Sequence, residues 1–139
     1  MDKRDEQIKK LERRKMELDK LLELLYVLVR FRNEGGSFKP FMVKNNYKSV
    51  AVYGMGRVGE VVCDYLIQDG IKLAYGIDIG PDYVFYDLPI YSPEDDLPSV
   101  DVVIVTVLDE NVTDILRNNG KYNYIMLDDY LKELMVYGA

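Results

Sequence analysis

The chain has 139 residues, of which 48% are hydrophobic and 30% are charged, and its formal net charge is −6. This length and composition are typical of a soluble globular protein with one domain and an appendage, and they exclude a disordered chain. The single cysteine, Cys63, and the absence of histidine exclude an internal disulfide, a cysteine-built zinc site and a histidine general base, so we expect no metal centre.

The charge is divided unevenly between two parts of the chain. Residues 1–48 carry thirteen Lys/Arg and eight Asp/Glu, whereas residues 49–139 carry five and sixteen. A surface as acidic as the second part repels the phosphates of nucleic acid at long range, so we expect no nucleic-acid partner. The N-terminus mixes both charges and lacks a basic region followed by an apolar run. We therefore expect no signal peptide and a cytoplasmic location.

Residues 1–32 predict one long amphipathic helix. Its a and d heptad positions are apolar, except that Lys15 breaks the a series and Arg32 ends the d series. The apolar positions are Ile8, Leu11, Leu18, Leu22, Leu25 and Val29. This pattern favours a dimer-forming helix and hence a homo-oligomer, but packing on its own domain or lying on a membrane surface stays open. No transmembrane segment is predicted, because the apolar run at 24–29 is far below the roughly 20 residues of a span.

Residues 33–48 are predicted to form a linker. Glycines and asparagines end the helix there, and Pro40 is expected to prevent the helix from resuming. Three apolar residues are unusual in a free linker. We therefore expect Phe38, Phe41 and Met42 to dock on the domain that follows.

The most informative segment is 49–59, Ser-Val-Ala-Val-Tyr-Gly-Met-Gly-Arg-Val-Gly. It predicts a short strand, a G-x-G-x-x-G turn and the start of a helix, which is the order that a pyrophosphate-binding backbone requires. Gly54 permits the tight turn, Gly56 lets the main chain approach the phosphates, and Gly59 lets the helix pack against the strand. The same glycines also serve the fold alone, so a turn that has lost its ligand is an alternative.

An acidic residue at the expected distance strengthens this interpretation. The helix is predicted over 57–68 and ends before Gly70, and a second strand runs over 72–77. Asp78 then follows at the carboxyl end of that strand, where a carboxylate can accept hydrogen bonds from a ribose hydroxyl. Capping of a loop is the alternative role for Asp78. If it binds ribose, NAD is favoured over NADP, because a carboxylate repels a 2′-phosphate.

The later elements continue the alternation. They are strand-like edge pieces at 83–86 and 88–91, a one-turn helix start at 92–97, a buried strand at 101–107, a helix at 111–117 closing at 118–120, a strand at 124–127, and a helix from Asp128 to about Tyr137. The acidic cluster of Glu94, Asp95 and Asp96 is expected to stabilise the dipole of the helix start. Residues 49–139 are therefore predicted to form an α/β, Rossmann-like domain. It has a parallel sheet of about five strands with flanking helices, and a ligand site at the switch point between the first and fourth strands.

Four segments occur in an order that resembles a known group of domains. They are Val-Ala-Val-Tyr-Gly-Met-Gly-Arg-Val-Gly at 50–59, Tyr-Gly-Ile-Asp at 75–78, Leu-Pro-Ile-Tyr-Ser-Pro-Glu-Asp-Asp-Leu at 88–97 and Asp-Val-Val-Ile-Val-Thr-Val at 101–107. The chain resembles the small Rossmann domains of bacterial surface-polysaccharide proteins, namely nucleotide-sugar dehydratases and sugar acyltransferases. This resemblance implies a phosphate site at Gly54, Met55, Gly56, Arg57, Val58 and Gly59, a ribose contact at Asp78, and a cleft wall at Thr106 and Val107. It implies NAD, a nucleotide sugar or another nucleotide as the ligand.

The chain departs from these families in its catalytic residues. None of its twelve tyrosines has a lysine four residues later, and it has no histidine for an acyltransferase base. Three alternatives stay open: a binding module without a complete catalytic set, an NAD-dependent oxidoreductase or nucleotide-sugar-modifying enzyme completed by a partner chain, and a ligand-sensing regulatory domain. The third rests on a looser resemblance of the glycine turn and Asp78 to nucleotide sensors of potassium transport. The catalytic residues are unknown.

Overall fold

A computed structural model describes residues 2–107 and 123–137. Its strands are β1 (Val50–Tyr53), β2 (Leu73–Ile77), β3 (Ile90–Tyr91), β4 (Val102–Val105) and β5 (Tyr124–Met126). Its helices are α1 (Lys3–Asn33), α2 (Lys39–Lys44), α3 (Arg57–Gln68) and α4 (Leu127–Tyr137), with a 3-10 helix at Pro81–Tyr83. The helix predicted at 111–117 and its end at 118–120 lie outside the described residues.

The five strands form one parallel sheet in the order β3-β2-β1-β4-β5. The predicted α/β architecture with a five-stranded parallel sheet and flanking helices is therefore confirmed. Because β2 and β3 lie on one side of β1 while β4 and β5 lie on the other, the strand order reverses between β1 and β4. The carboxyl ends of β1 and β4 therefore meet at a topological switch point, as predicted.

The two central strands of the sheet, β1 and β4, are buried on both faces. All four residues of β1 and all four of β4 are buried, which explains their continuous apolar sequence. Successive residues alternate between two cores: Val50 and Val52 contribute to one, Ala51 and Tyr53 to the other. The first core also includes residues of α1, α2, α3 and α4. Packed side chains therefore enclose both strands that meet at the switch point, β1 and β4.

Among the described residues, helix α1 is buried along its C-terminal part. Leu24 and Leu28 are buried in the first core, and α1 contacts both α3 and α4. Every residue from Asp2 to Glu23 is exposed. The alternative that α1 packs on its own domain therefore holds for the last third of the helix. Within the described residues, no helix is both long and apolar enough to cross a bilayer.

The predicted linker contains a short helix. Pro40 does not prevent helix formation, because it lies at the first turn of α2, where its missing N–H has no intrahelical partner to lose. The docking expected of the apolar residues is confirmed: Phe38 and Met42 are buried, and Phe41 packs against Tyr130 of α4 with ring centroids 5.0 Å apart. The expectation about Pro40 was thus wrong, and this segment fills the gap between α1 and α4.

Two predictions for the segment between β2 and β4 are wrong. Residues 83–86 form no strand: Tyr83 ends the 3-10 helix, and Phe85 is exposed and so lacks the packing surface that favours aromatic residues in a strand. Residues 92–97 form a turn and no helix. The Ser92 N–H donates to Asp95 Oδ2 at 2.8 Å, so the carboxylate caps a turn and there is no helix dipole for it to stabilise.

Candidate functional site

The glycine turn lies at the carboxyl end of β1, between the ends of β2 and β4. Gly54 has a φ of +100°, a left-handed conformation that favours glycine. Its N–H donates to the Ile77 carbonyl oxygen at 2.8 Å. A Cβ on Gly54 would also lie 2.5 Å from Thr106 Oγ1. The tight turn predicted at Gly54 is therefore confirmed, and it is closed by contacts to both neighbouring strands.

Gly59 brings α3 against the turn. A Cβ on Gly59 would overlap the carbonyl oxygen of Gly54, so any larger residue would push the helix away from β1. The backbone cannot yield as the end of a flexible side chain can. The packing role predicted for Gly59 is confirmed.

Gly56 differs from the other two glycines of the motif. Its φ of −80° and ψ of −159° are accessible to any residue. Apart from atoms of Gly56 and its two chain neighbours, no described heavy atom lies within 4 Å of the position that a Cβ would occupy. Among the described residues, therefore, neither backbone conformation nor packing requires glycine here. The missing side chain leaves open the space in front of the first turn of α3.

The first turn of α3 faces this open space with backbone amides. Gly56 is the N-cap residue and has no side chain with which to cap the helix. Val58 is buried, so it can offer a ligand only its N–H, whereas Arg57 is exposed. A helix N-terminus carries a partial positive charge, which favours an anion at this point.

Asp78 connects the turn to the loop that follows β2. Its Oδ1 accepts from the Met55 N–H at 3.0 Å, and its Oδ2 accepts from the Gly80 N–H at 2.9 Å. The structure thus brings Asp78 and the glycine turn into direct contact, and the loop-capping role is observed. Each carboxylate oxygen has two lone pairs, so both can accept another hydrogen bond. Capping and a ribose contact are therefore compatible.

Thr106 and Val107 lie under the turn, at the end of β4. Thr106 is buried, and its hydroxyl lies 2.7 Å from the carbonyl oxygen of Gly54, to which it donates. Val107 is half-buried, and a Cβ on Gly54 would lie 3.2 Å from its Cγ2. Thr106 is therefore a positioning residue for the turn, while Val107 is the partly accessible member of the pair.

Met55 fills the space beneath the turn. It is buried, and its sulfur lies 3.7 Å from Cys63 Sγ. A Cβ on Gly76 would lie 2.8 Å from the Met55 side chain and 2.9 Å from the end of the Ile90 side chain, so a larger residue in β2 would displace these side chains. Sequence reasoning missed Gly76 and Gly80 as supports of the site. The Asp-x-Gly spacing of Asp78 and Gly80 was the available signal for the second.

The arrangement offers backbone donors and one carboxylate, which suit recognition of anions and hydroxyl groups. Among residues 2–107 and 123–137, no group of three or more His, Cys, Asp or Glu side chains could hold a metal ion. Burial, with help from the charges of Asp64 and Glu60, raises the pKa of Cys63 to about 12. Cys63 is therefore a neutral core residue, as predicted, and is unsuited to nucleophilic chemistry.

No protein-family model matches the chain, and no curated protein matches it significantly.

Proposed function

We propose that this protein is a nucleotide-binding module that holds the diphosphate of a dinucleotide or a nucleotide sugar. The diphosphate lies against Gly54, Gly56 and the first turn of α3, and a ribose hydroxyl donates to Asp78. The ligand occupies the switch point between β1 and β4, where open α/β sheets bind their ligands. NAD is the first candidate, and a nucleotide sugar is the second.

The observation that carries this proposal is the glycine at position 56. Gly54 and Gly59 serve the fold, so they would support the turn with or without a ligand. Gly56 has an ordinary conformation and open space beside it. A glycine there is explained if a phosphate occupies the volume that a side chain would fill.

We infer that this chain binds its ligand but does not catalyse a reaction by itself. Its sequence lacks histidine and any Tyr-x-x-x-Lys pair, so a proton would have to move through Asp, Glu, Tyr or Lys. At the turn, the Thr106 hydroxyl is buried and donates to the Gly54 carbonyl oxygen. Together with the resemblance to polysaccharide-pathway domains, this favours an accessory binding module of bacterial surface-polysaccharide biosynthesis.

Isothermal titration with NAD, NADP, a UDP-sugar and a CMP-sugar tests the proposal. We expect one of these ligands to bind, and Gly56→Val to weaken that binding at least about tenfold because its side chain fills the phosphate volume. The variant should unfold within about 1 kcal/mol of the wild type, since only an N-cap glycine is lost. Lys72→Val, directly before β2 at the opposite, amino-terminal end of the strands, is the control and should bind normally. Equal binding by Gly56→Val would refute the phosphate site.

The Asp78 contact has a separate test. A carboxylate repels the 2′-phosphate of NADP, so NAD should bind the wild type more tightly than NADP does. Asp78→Asn keeps one acceptor oxygen and removes the charge, and it should narrow the difference between the two affinities. If NADP binds the wild type as well as NAD does, the ribose contact is wrong. Turnover of a nucleotide sugar by the isolated chain would instead favour the oxidoreductase alternative.

A further inference from the structure

The exposed part of α1 is the feature that the nucleotide site does not explain. From Asp2 to Glu23 every residue is exposed, over a length of about 30 Å at the α-helical rise of ~1.5 Å per residue. A helix without tertiary contacts is marginally stable in water, because propensity alone barely offsets the entropy of ordering it. A partner along this length would stabilise it.

An apolar stripe runs along this exposed part, and we call it the α1 seam. Its members are Ile8, Leu11, Leu18 and Leu22, whose exposed fractions are 46%, 68%, 52% and 67%. They are a and d positions of the heptad frame, whereas the buried Leu24 and Leu28 are c and g positions. At roughly 100° per residue the seam lies about 120° around the helix from the buried face. A second helix can therefore pack on the seam without displacing the domain.

The charges beside the seam select both the partner and its direction. The e positions Asp5, Glu12 and Asp19 are all acidic, and the g position Arg14 is basic. In an antiparallel pair the e positions of both helices meet, which would set carboxylates against carboxylates. In a parallel pair, Arg14 of each copy lies beside Asp19 of the other, so the seam complements itself. A second copy of this chain in parallel register is the occupant that these charges fit.

Lys15 restricts the number of helices. It occupies the a position midway along the seam and is exposed. A single polar residue at an a position specifies register and oligomeric state, and it favours two strands because the ammonium group can still reach water. Three or four helices around one axis would bury several ammonium groups together.

We propose that the protein is a homodimer in which the α1 seams of two copies form a parallel, two-stranded coiled coil from about Ile8 to Leu22. The two nucleotide-binding domains then lie at the same end of the coil. This proposal is independent of the nucleotide site, because no residue of the seam contacts the glycine turn. The protein can therefore dimerise without binding a nucleotide, and it can bind a nucleotide without dimerising.

Sedimentation equilibrium of the full chain tests the dimer. We expect a wild-type dimer, and Leu18→Asp should weaken association by roughly 100-fold or more because each dimer would bury two unpaired carboxylates. Met16→Asp is the matched control: Met16 is 61% exposed on the same helix but occupies a b position outside the seam. The control should dimerise like the wild type. A monomeric or trimeric wild type, or equal effects of the two variants, would overturn the proposal.

Direction and register need a second measurement. In a parallel coil the two copies of residue 8 face each other, whereas in an antiparallel coil they lie at opposite ends, so Ile8→Cys should form a disulfide-linked dimer under mild oxidation without denaturant only if the helices are parallel. Lys9→Cys, one residue away on the outer surface, should not. The buried Cys63 is shielded in both variants. Failure of Ile8→Cys to cross-link more than Lys9→Cys would overturn the parallel arrangement. Circular dichroism of each variant checks that the domain is folded.

Discussion

At the scale of single residues, the three glycines of the motif have different structural roles. Gly54 has a left-handed backbone, Gly59 makes room for the Gly54 carbonyl, and Gly56 satisfies no requirement of the folded chain. A motif match treats the three as equivalent. The structure separates two glycines that the fold needs from one that lies in open space.

This difference predicts that the same substitution, glycine to alanine, lowers the stability strongly at position 59 and hardly at all at position 56. Gly59→Ala should lower the free energy of unfolding by about 2–4 kcal/mol, because its Cβ would overlap backbone that cannot move independently. Gly56→Ala should change it by less than about 0.5 kcal/mol, since its φ and ψ suit alanine. Urea unfolding measures both. Similar losses in the two variants would show that position 56 is also constrained by packing.

The thiol of Cys63 is expected to be inert in the folded protein. Burial raises its pKa to about 12, so at pH 8 only about one thiol in ten thousand is ionised. Alkylation at pH 8 should be slow in buffer and fast in strong denaturant, where the pKa returns to about 8.5. Mass spectrometry of timed samples measures the two rates. Comparable rates would contradict the buried position.

At the scale of elements, one ion pair attaches the end of α1 to the end of α3. Arg32 Nη1 lies 2.7 Å from Asp69 Oδ1, and both side chains are largely buried. Asp69 Oδ2 also accepts from the Phe38 N–H at 3.1 Å. Arg32 lies over the Tyr65 ring as well, 4.7 Å from its centroid. In the heptad frame Arg32 merely ended an apolar series; in the fold it joins two helices.

The pKa of Asp69 gives this contact a defined pH dependence. Burial alone would raise that pKa, but hydrogen bonds from Arg32, the Phe38 N–H and Ser37 outweigh it, so the pKa lies below the ordinary value. A lowered pKa means that the stabilisation is complete above the unfolded pKa of about 4 and is lost as pH falls through the folded value.

Asp69→Asn should therefore lower the free energy of unfolding by about 1–2 kcal/mol at pH 6–8. The difference from the wild type should be constant over that range and shrink below about pH 4. Asp87→Asn, which alters an exposed carboxylate that is not part of this cluster, is a suitable control. Denaturant titrations over this pH range provide the measurement. A difference that grows on acidification would contradict the assignment.

At the scale of the whole molecule, α1 belongs to two structural units. Leu24 and Leu28 complete the core beside the sheet, whereas the residues from Asp2 to Glu23 are exposed. Basic residues predominate in residues 1–48 and acidic residues in the rest of the chain, so the helix and the sheet domain carry opposite net charge.

Two truncations should separate these units. Removing residues 1–21 should leave the thermal midpoint of the domain nearly unchanged, because no buried side chain is lost. Removing residues 1–31 deletes Leu24 and Leu28 and should destabilise the domain by about 4 kcal/mol or more, at about 2 kcal/mol for each buried leucine. Calorimetry at low protein concentration, where association is weak, compares the two. Equal midpoints would show that α1 is dispensable to the core.

Several features followed from the sequence alone. Local signals determined α3, because a glycine turn begins it and an apolar periodicity continues to Gln68, and they determined the buried run of β4. Alternation of strands and helices determined a parallel sheet and its switch point. Patterns of this kind are local, so each stretch of chain carries its own evidence.

Other features were decided only by tertiary structure. The aromatic run at 83–86 has the composition of a strand but starts at the end of a 3-10 helix and pairs with no described strand. Pro40 lies in the first turn of a helix because Phe38 and Met42 have a core to enter. The partners of Asp78 are the amides of Met55 and Gly80, and they meet it only after β1 and β2 have paired. Long-range pairing and burial decide such contacts, because their free energy depends on neighbours that are remote in the chain.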